Sequence, residues 1–180
     1  RRAARRPPPA GVDGERPTDA QIDELWARVA PTHEFIAARS AAWVRWRYWS
    51  CPHIPYAELY ARDSEGHLLG YAISKRFRDP SGVLVGVIVD VCVQNEDTPT
   101  FEALVEAATR ELLVAGVDLV KCAFTSRWAR RRLRRQGFLD PKVLLPNARV
   151  PGRQVFMARR ADVPTDLGVW WMTRGDSEMD

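Results

Sequence analysis

Residues 82–93, GVLVGVIVDVCV, form the longest apolar run of this 180-residue chain, broken by one charge, Asp90. As a helix the run would span only about 18 Å. Half of it is valine, whose branched side chain suits pleated sheet better than helix. In simple alternation, Val83, Val85, Val87, Val89, Val91 and Val93 fall on one face, with Leu84, Ile88 and Cys92 on the other. A strand apolar on both faces is normally covered on both, so the run predicts the central strand of an α/β sheet.

The flanking segments fit such a sheet. Downstream, a polar loop over 94–97 leads into Thr98-Pro99, a helix-start signal. Phe101, Leu104, Val105, Ala108 and Leu112 then share one helical face. Residues 118–125 read as a second, parallel strand. Ser126 is placed to cap a helix that turns Trp128, Ala129 and Leu133 inward, and Gln136-Gly137-Phe138 stops it. Upstream, residues 56–62 and 67–77 read as a hairpin around Gly66, antiparallel to the central strand. Thr18 opens a helix carrying Ile22, Leu25, Trp26 and Val29, which Pro31 ends, and a second helix is expected after Thr32. Residues 143–145 and 154–158 read as further strands. The stretch 43–49, WVRWRYW, combines two readings, packing anchors under arginine stems or a stacking platform for single-stranded nucleic acid, and packing is preferred.

Composition bounds the function. A hydrophobic content of 46% over 180 residues supports one well-packed domain. Residues 1–17, rich in Arg and Pro, read as a disordered basic linker, with the domain running over 18–180. The sequence begins at Arg1 and is expected to be a piece of a longer polypeptide. Nothing in it reads as a signal peptide or membrane span, so a cytoplasmic location is expected. Cys51, Cys92 and Cys122 are odd in number and lack CxxC spacing, which suits reduced core thiols, and His33, His53 and His67 have no metal spacing. No metal is expected. Charge is uneven: residues 127–160 carry ten Arg and one Lys against Asp140, whereas 161–180 carry five acids against Arg174.

At Leu133-Arg134-Arg135-Gln136-Gly137-Phe138 the order of elements resembles the GNAT acetyltransferase superfamily over about residues 56–160. Trp46-Arg47-Tyr48 and residues 171–178, WMTRGDSE, are similar to a bacterial subgroup in which one GNAT-like domain often follows another. The resemblance implies a GNAT-like mixed sheet, mostly antiparallel, flanked by helices. It also implies acyl transfer from acetyl-CoA or another acyl-CoA to a small-molecule or peptide amine. Val91 and Val93 would offer backbone groups to the pantetheine. Gln94 fits the first position of the pyrophosphate loop, Ser126 stands where the family often has Asn, and Arg130 would approach the cofactor phosphates.

The chain departs from the pattern in two places. At 94–99, QNEDTP, the loop glycines are missing, Pro99 has no N–H, and Glu96 and Asp97 repel phosphate. Leu133 stands where the family has a tyrosine acid. Two readings follow: an N-acyltransferase with Asp90 as base, or a non-catalytic GNAT-derived domain that packs on or regulates an intact acetyltransferase domain, upstream or in a homodimer. Asp90 has a competing reading as one half of a buried ion pair, with an arginine of 127–135 as the expected partner. Glu58 is a second candidate base. Arg127, Arg130, Arg131 and Arg134 fall on one helical face that suits phosphate, an acidic partner or plain solvent, and nucleic acid is not expected to be the ligand.

Overall fold

The computed structural model describes residues 9–139, 170, 171 and 173. The central strand forms where the valine run predicts it, as β5 (Leu84–Val93), the fourth of the five strands that form one sheet among the described residues. Its neighbours are β1 (Gly11–Asp13), β3 (Ala57–Arg62), β4 (Leu68–Arg78) and β6 (Leu119–Cys122), in the order β1-β3-β4-β5-β6. Three of the four pairings are antiparallel and β5–β6 is parallel. The expected mixed, mostly antiparallel sheet is what the chain adopts.

Both faces of β5 are covered, and this explains its lack of polar alternation. On one face lie α3 (Thr98–Val114) and α4 (Arg127–Arg135), with Phe101, Leu104, Ala108, Leu112, Trp128 and Leu133 buried. On the other lie α1 (Asp19–Val29) and α2 (Ala41–Val44), the latter running on into a π-helical turn (Arg45–Trp49). Ile22, Leu25, Val29, Val44 and Tyr48 pack there. Thr18 caps α1 with a reciprocal box: its hydroxyl accepts from the Gln21 amide, and the Gln21 side chain accepts from Thr18 N–H at 2.9 Å.

Simple alternation fails at one residue of β5. Ile73 pairs with Asp90 but Ser74 pairs with Ile88, so Val89 is an extra residue, a β-bulge. Past it the faces exchange. Val85, Val87, Val89 and Cys92 pack with α1 and α2, whereas Ile88, Val91 and Val93 pack with α3 and α4. The expectation that all six valines share a face is therefore corrected, because one inserted residue moves every later side chain across the sheet.

Further differences concern the N-terminal segment and the strand ends. Gly11–Asp13 pairs with β3, and Arg16 bonds Glu58, so order begins well before residue 18. A short edge strand of this kind needs backbone pairing more than apolar side chains, and composition does not reveal it. No helix follows Thr32 directly: a 3-10 turn (Ala30–Thr32) and β2 (Phe35–Ile36) come first. β6 is shorter than the expected 118–125. β7 (Trp170–Trp171) pairs in parallel with β2. The strands expected at 143–145 and 154–158 lie outside the described residues.

Candidate functional site: the open end of the central strand

β5 and β6 run together only from Val85–Leu119 to Ile88–Cys122. Beyond Ile88, β5 continues to Val93 with β4 the one strand paired to it among the described residues, and Phe124 past the end of β6 bridges to Thr173. The two parallel strands thus part at the bulge. Asp90, Val91, Val93 and Gln94 lie on one arm of this fork, and Ser126 and Arg130 on the other.

Asp90 is fully buried and saturated. Arg39 Nε reaches its Oδ2 at 3.1 Å and Arg39 Nη2 its Oδ1 at 3.2 Å. Thr173 donates to Oδ1 at 2.9 Å, and the hydroxyls of Tyr48 and Tyr71 donate to Oδ2 at 3.1 and 3.2 Å. The guanidinium is itself buried and lies over the Trp43 ring. A bidentate arginine and three hydroxyls offset the cost of taking a carboxylate out of water. Burial foremost, then the Asp90 charge, pushes the Tyr71 phenol well above its ordinary range, so it stays a donor.

The arginine expected opposite Asp90 was on α4, and the structure supplies Arg39 instead. The bulge explains the choice: Asp90 reaches Tyr48 on the α1 and α2 side of the sheet, while α4 packs on the opposite side. Sequence reading missed Arg39, Tyr48, Tyr71 and Thr173 as a set because each comes from a different element. A lone arginine between β2 and α2 carries no local signal.

The loop after β5 is closed upon itself. Asn95 N–H donates to the Thr32 hydroxyl at 2.9 Å, Asp97 N–H to Gln94 O at 3.1 Å and Thr98 N–H to Glu96 O at 2.7 Å. Pro99 has no N–H. Thr100 N–H donates to the Asp97 carboxylate at 3.3 Å and Phe101 N–H to Asp97 O at 3.1 Å. Asp97 is 6% exposed, so a carboxylate of the chain occupies the N-terminal end of α3, where the helix dipole favours an anion. Gln94 turns its amide to Arg28 O at 3.3 Å, and His33 Nε2 lies 3.0 Å from the carbonyl of Val93.

On the other arm, Ser126 is committed as the cap of α4, accepting from Ala129 N–H at 3.4 Å, and Arg130 is exposed. Glu58 stands apart from the fork on β3, bonded by Arg16 and by Tyr60 at 2.6 Å. Among the described residues no cluster of His, Cys, Asp and Glu is arranged to hold a metal ion, all three cysteines are free thiols, and no helix is long and apolar enough to cross a membrane.

No protein-family model matches the chain, and no curated protein matches it in sequence. Solved structures do match its fold. An Agrobacterium tumefaciens str. C58 protein assigned as an acetyltransferase superposes with a TM-score of 0.54 at 15% identity, over 83% of this chain and 99% of that one. A ribosomal-protein-alanine N-acetyltransferase from Brucella melitensis biovar Abortus 2308 gives 0.51 at 14% identity, over 77% and 93%. A glucosamine-6-phosphate N-acetyltransferase from Arabidopsis thaliana gives 0.51 at 11% identity, over 84% and 98%. The fold is GNAT-like, and at these identities the likeness speaks for the fold alone.

Proposed function

We propose that this is a GNAT-fold domain that does not itself hold acyl-CoA and works by packing on or regulating an intact acetyltransferase domain, whether upstream in the same polypeptide or in a homodimer. One observation carries the reading. The loop N–H groups of Asn95, Asp97 and Thr98 and that of Thr100 at the start of α3 are engaged within the chain, and the Asp97 carboxylate sits at the helix end. A diphosphate brought there would displace an internal anion and meet Glu96 as well. Asp90, expected as a base, is on this reading the anchor of a buried polar network.

The parting of β5 and β6 favours a second reading, acyl transfer from acetyl-CoA or a related thioester to a small-molecule or peptide amine. Here Val91 and Val93 would present backbone groups to the pantetheine arm, Gln94 would border the phosphates, and Ser126 and Arg130 would line the other side. Three of these positions are already in use: Val93 O by His33, Gln94 by Arg28 O, and Ser126 by its own helix. The fold likeness to acetyltransferases is what recommends this reading. A cytoplasmic location accompanies either one.

Calorimetric titration of acetyl-CoA and of CoA into the full chain separates the two. The expected result is no binding heat up to about 1 mM ligand, the range in which a Kd corresponds to only about −4 kcal/mol. Micromolar binding of either ligand would overturn the non-catalytic reading and make an amine-substrate screen the next step.

A further inference from the structure

The outer face of α3 is used by neither reading of the fork. Phe101, Leu104, Ala108 and Leu112 are buried against the sheet. Helical spacing leaves Ala103, Glu106, Arg110 and Leu113 along the opposite stripe. Leu113 is 58% exposed and Val114, next to it, 85%. A solvent-facing last turn is better served by Lys or Arg, which suit the negative end of the helix dipole, and α3 has neither there. Valine is also a poor helix former where no packing compensates. The stripe borders an open groove of about 690 Å³ beside the end of α4, lined in part by Val105, Thr109, Leu113, Gln136 and Phe138. The Thr109 hydroxyl and Gln136 Oε1 are buried there with no hydrogen-bond partner among the described residues. Buried polar atoms are normally satisfied, so this wall lacks a neighbour.

From this we infer that the outer face of α3 is where a second copy of this chain packs, helix against helix about a two-fold axis. The order of charges identifies the occupant. Glu106 and Arg110 form an exposed pair at 2.7 Å, one helical turn apart. In an antiparallel crossing at the level of Ala108, Glu106 of each copy falls opposite Arg110 of the other. Two separate pairs then become a ring of four alternating charges. The same register sets Leu113 of each copy opposite Ala103 of the other, a large side chain against a small one. A face whose two halves complement each other is what a two-fold contact requires. A parallel arrangement would instead bring Glu106 onto Glu106 and Arg110 onto Arg110. A small apolar ligand would fill the groove but leave the order of charges without a role. Because α3 has 17 residues, about 25 Å of helix, the contact is small and the expected association is micromolar. The inference holds whether or not acyl-CoA binds at the fork.

The test is analytical ultracentrifugation of the full chain from about 2 to about 200 μM, a range that brackets a micromolar Kd. A monomer–dimer equilibrium is expected. Leu113→Lys/Val114→Lys should weaken the dimer by about tenfold or more, since two apolar side chains lose their burial, while the added charges suit the helix end. Glu106→Arg should weaken it by about tenfold, because like charge then faces like charge. Glu106→Arg/Arg110→Glu restores opposite charges across the axis and should recover most of the affinity. Arg76→Glu, an exposed change on β4, should leave the dimer unchanged, and circular dichroism should show all variants folded. A parent chain that stays monomeric at the highest concentration overturns the inference. So does a dimer that neither the Leu113/Val114 nor the Glu106 variant weakens, which places the contact on another face. A monomeric parent that binds Nile red, and loses it in Leu113→Lys/Val114→Lys, overturns it too and assigns the groove to a small apolar ligand.

Discussion

Removing the charge of Asp90 while keeping its shape strands the Arg39 guanidinium in the core. Both side chains are fully buried, so solvent cannot compensate. Asp90→Asn is expected to lower stability by about 3–5 kcal/mol, the usual result of breaking one side of a buried pair. Arg39→Met in that background should then cost little more, because the uncompensated charge is gone. Urea denaturation of the two single variants and the double variant measures this, and additive losses would mean the two side chains do not act as a pair. The acid itself was legible in the sequence as a lone charge in an apolar strand. Its partner was not, since the side of the sheet that Asp90 faces depends on the bulge at Val89, and six arginines on α4 offered a stronger local signal than Arg39.

At the level of elements, the strands and helices from Ala57 to Arg135 follow from periodicity, β-branching and caps. The places where reading fails have a common cause. β1, β2 and β7 are two or three residues long and exist because a partner strand supplies their hydrogen bonds. Close approach between strands is equally invisible to hydropathy. A Cβ on Gly70 would lie 2.6 Å from Cys92 O and 2.7 Å from Val93 Cγ1, both on β5. Gly70→Ala is therefore expected to cost about 1–3 kcal/mol through overpacking at the end of the central strand. A thermal or urea melt showing no loss would mean that β4 shifts freely along β5. The loop beyond was legible in a different way. Its lack of glycine announced a poor phosphate cradle, but only the structure shows that the amides of Asn95, Asp97 and Thr98 are engaged from within. Asp97→Ala, which removes the cap of α3, should cost about 1 kcal/mol in the same assay, and Asp97→Asn, still able to accept from Thr100 N–H, should cost less.

Across the whole molecule, the layer of α1 and α2 is tied to the end of the sheet by a few polar contacts. Arg28 reaches Leu68 O and is reached in turn by Gln94, Thr32 accepts from Asn95 N–H, and His33 meets Val93 O. His33 is the one side chain of this group whose ordinary pKa lies near neutrality. Burial chiefly, and the positive charge of Arg39, hold its pKa below 6.5, while the bond to Val93 O opposes the shift. The unfolded chain therefore takes up this proton at a higher pH than the folded one. The contribution of His33 to stability is complete above about pH 6.5 and is lost as pH falls from there through the lower folded value. Asp79, held low first by the Ser81 hydroxyl, acts only below its ordinary 3.8 and does not enter this window. Urea midpoints at about pH 7.5 and about pH 5.5 should accordingly fall with acid in the parent chain, and by less in His33→Gln, which can still donate to Val93 O but has no proton to gain. Equal falls in both would place the acid sensitivity elsewhere than in the joint between the helical layer and β5.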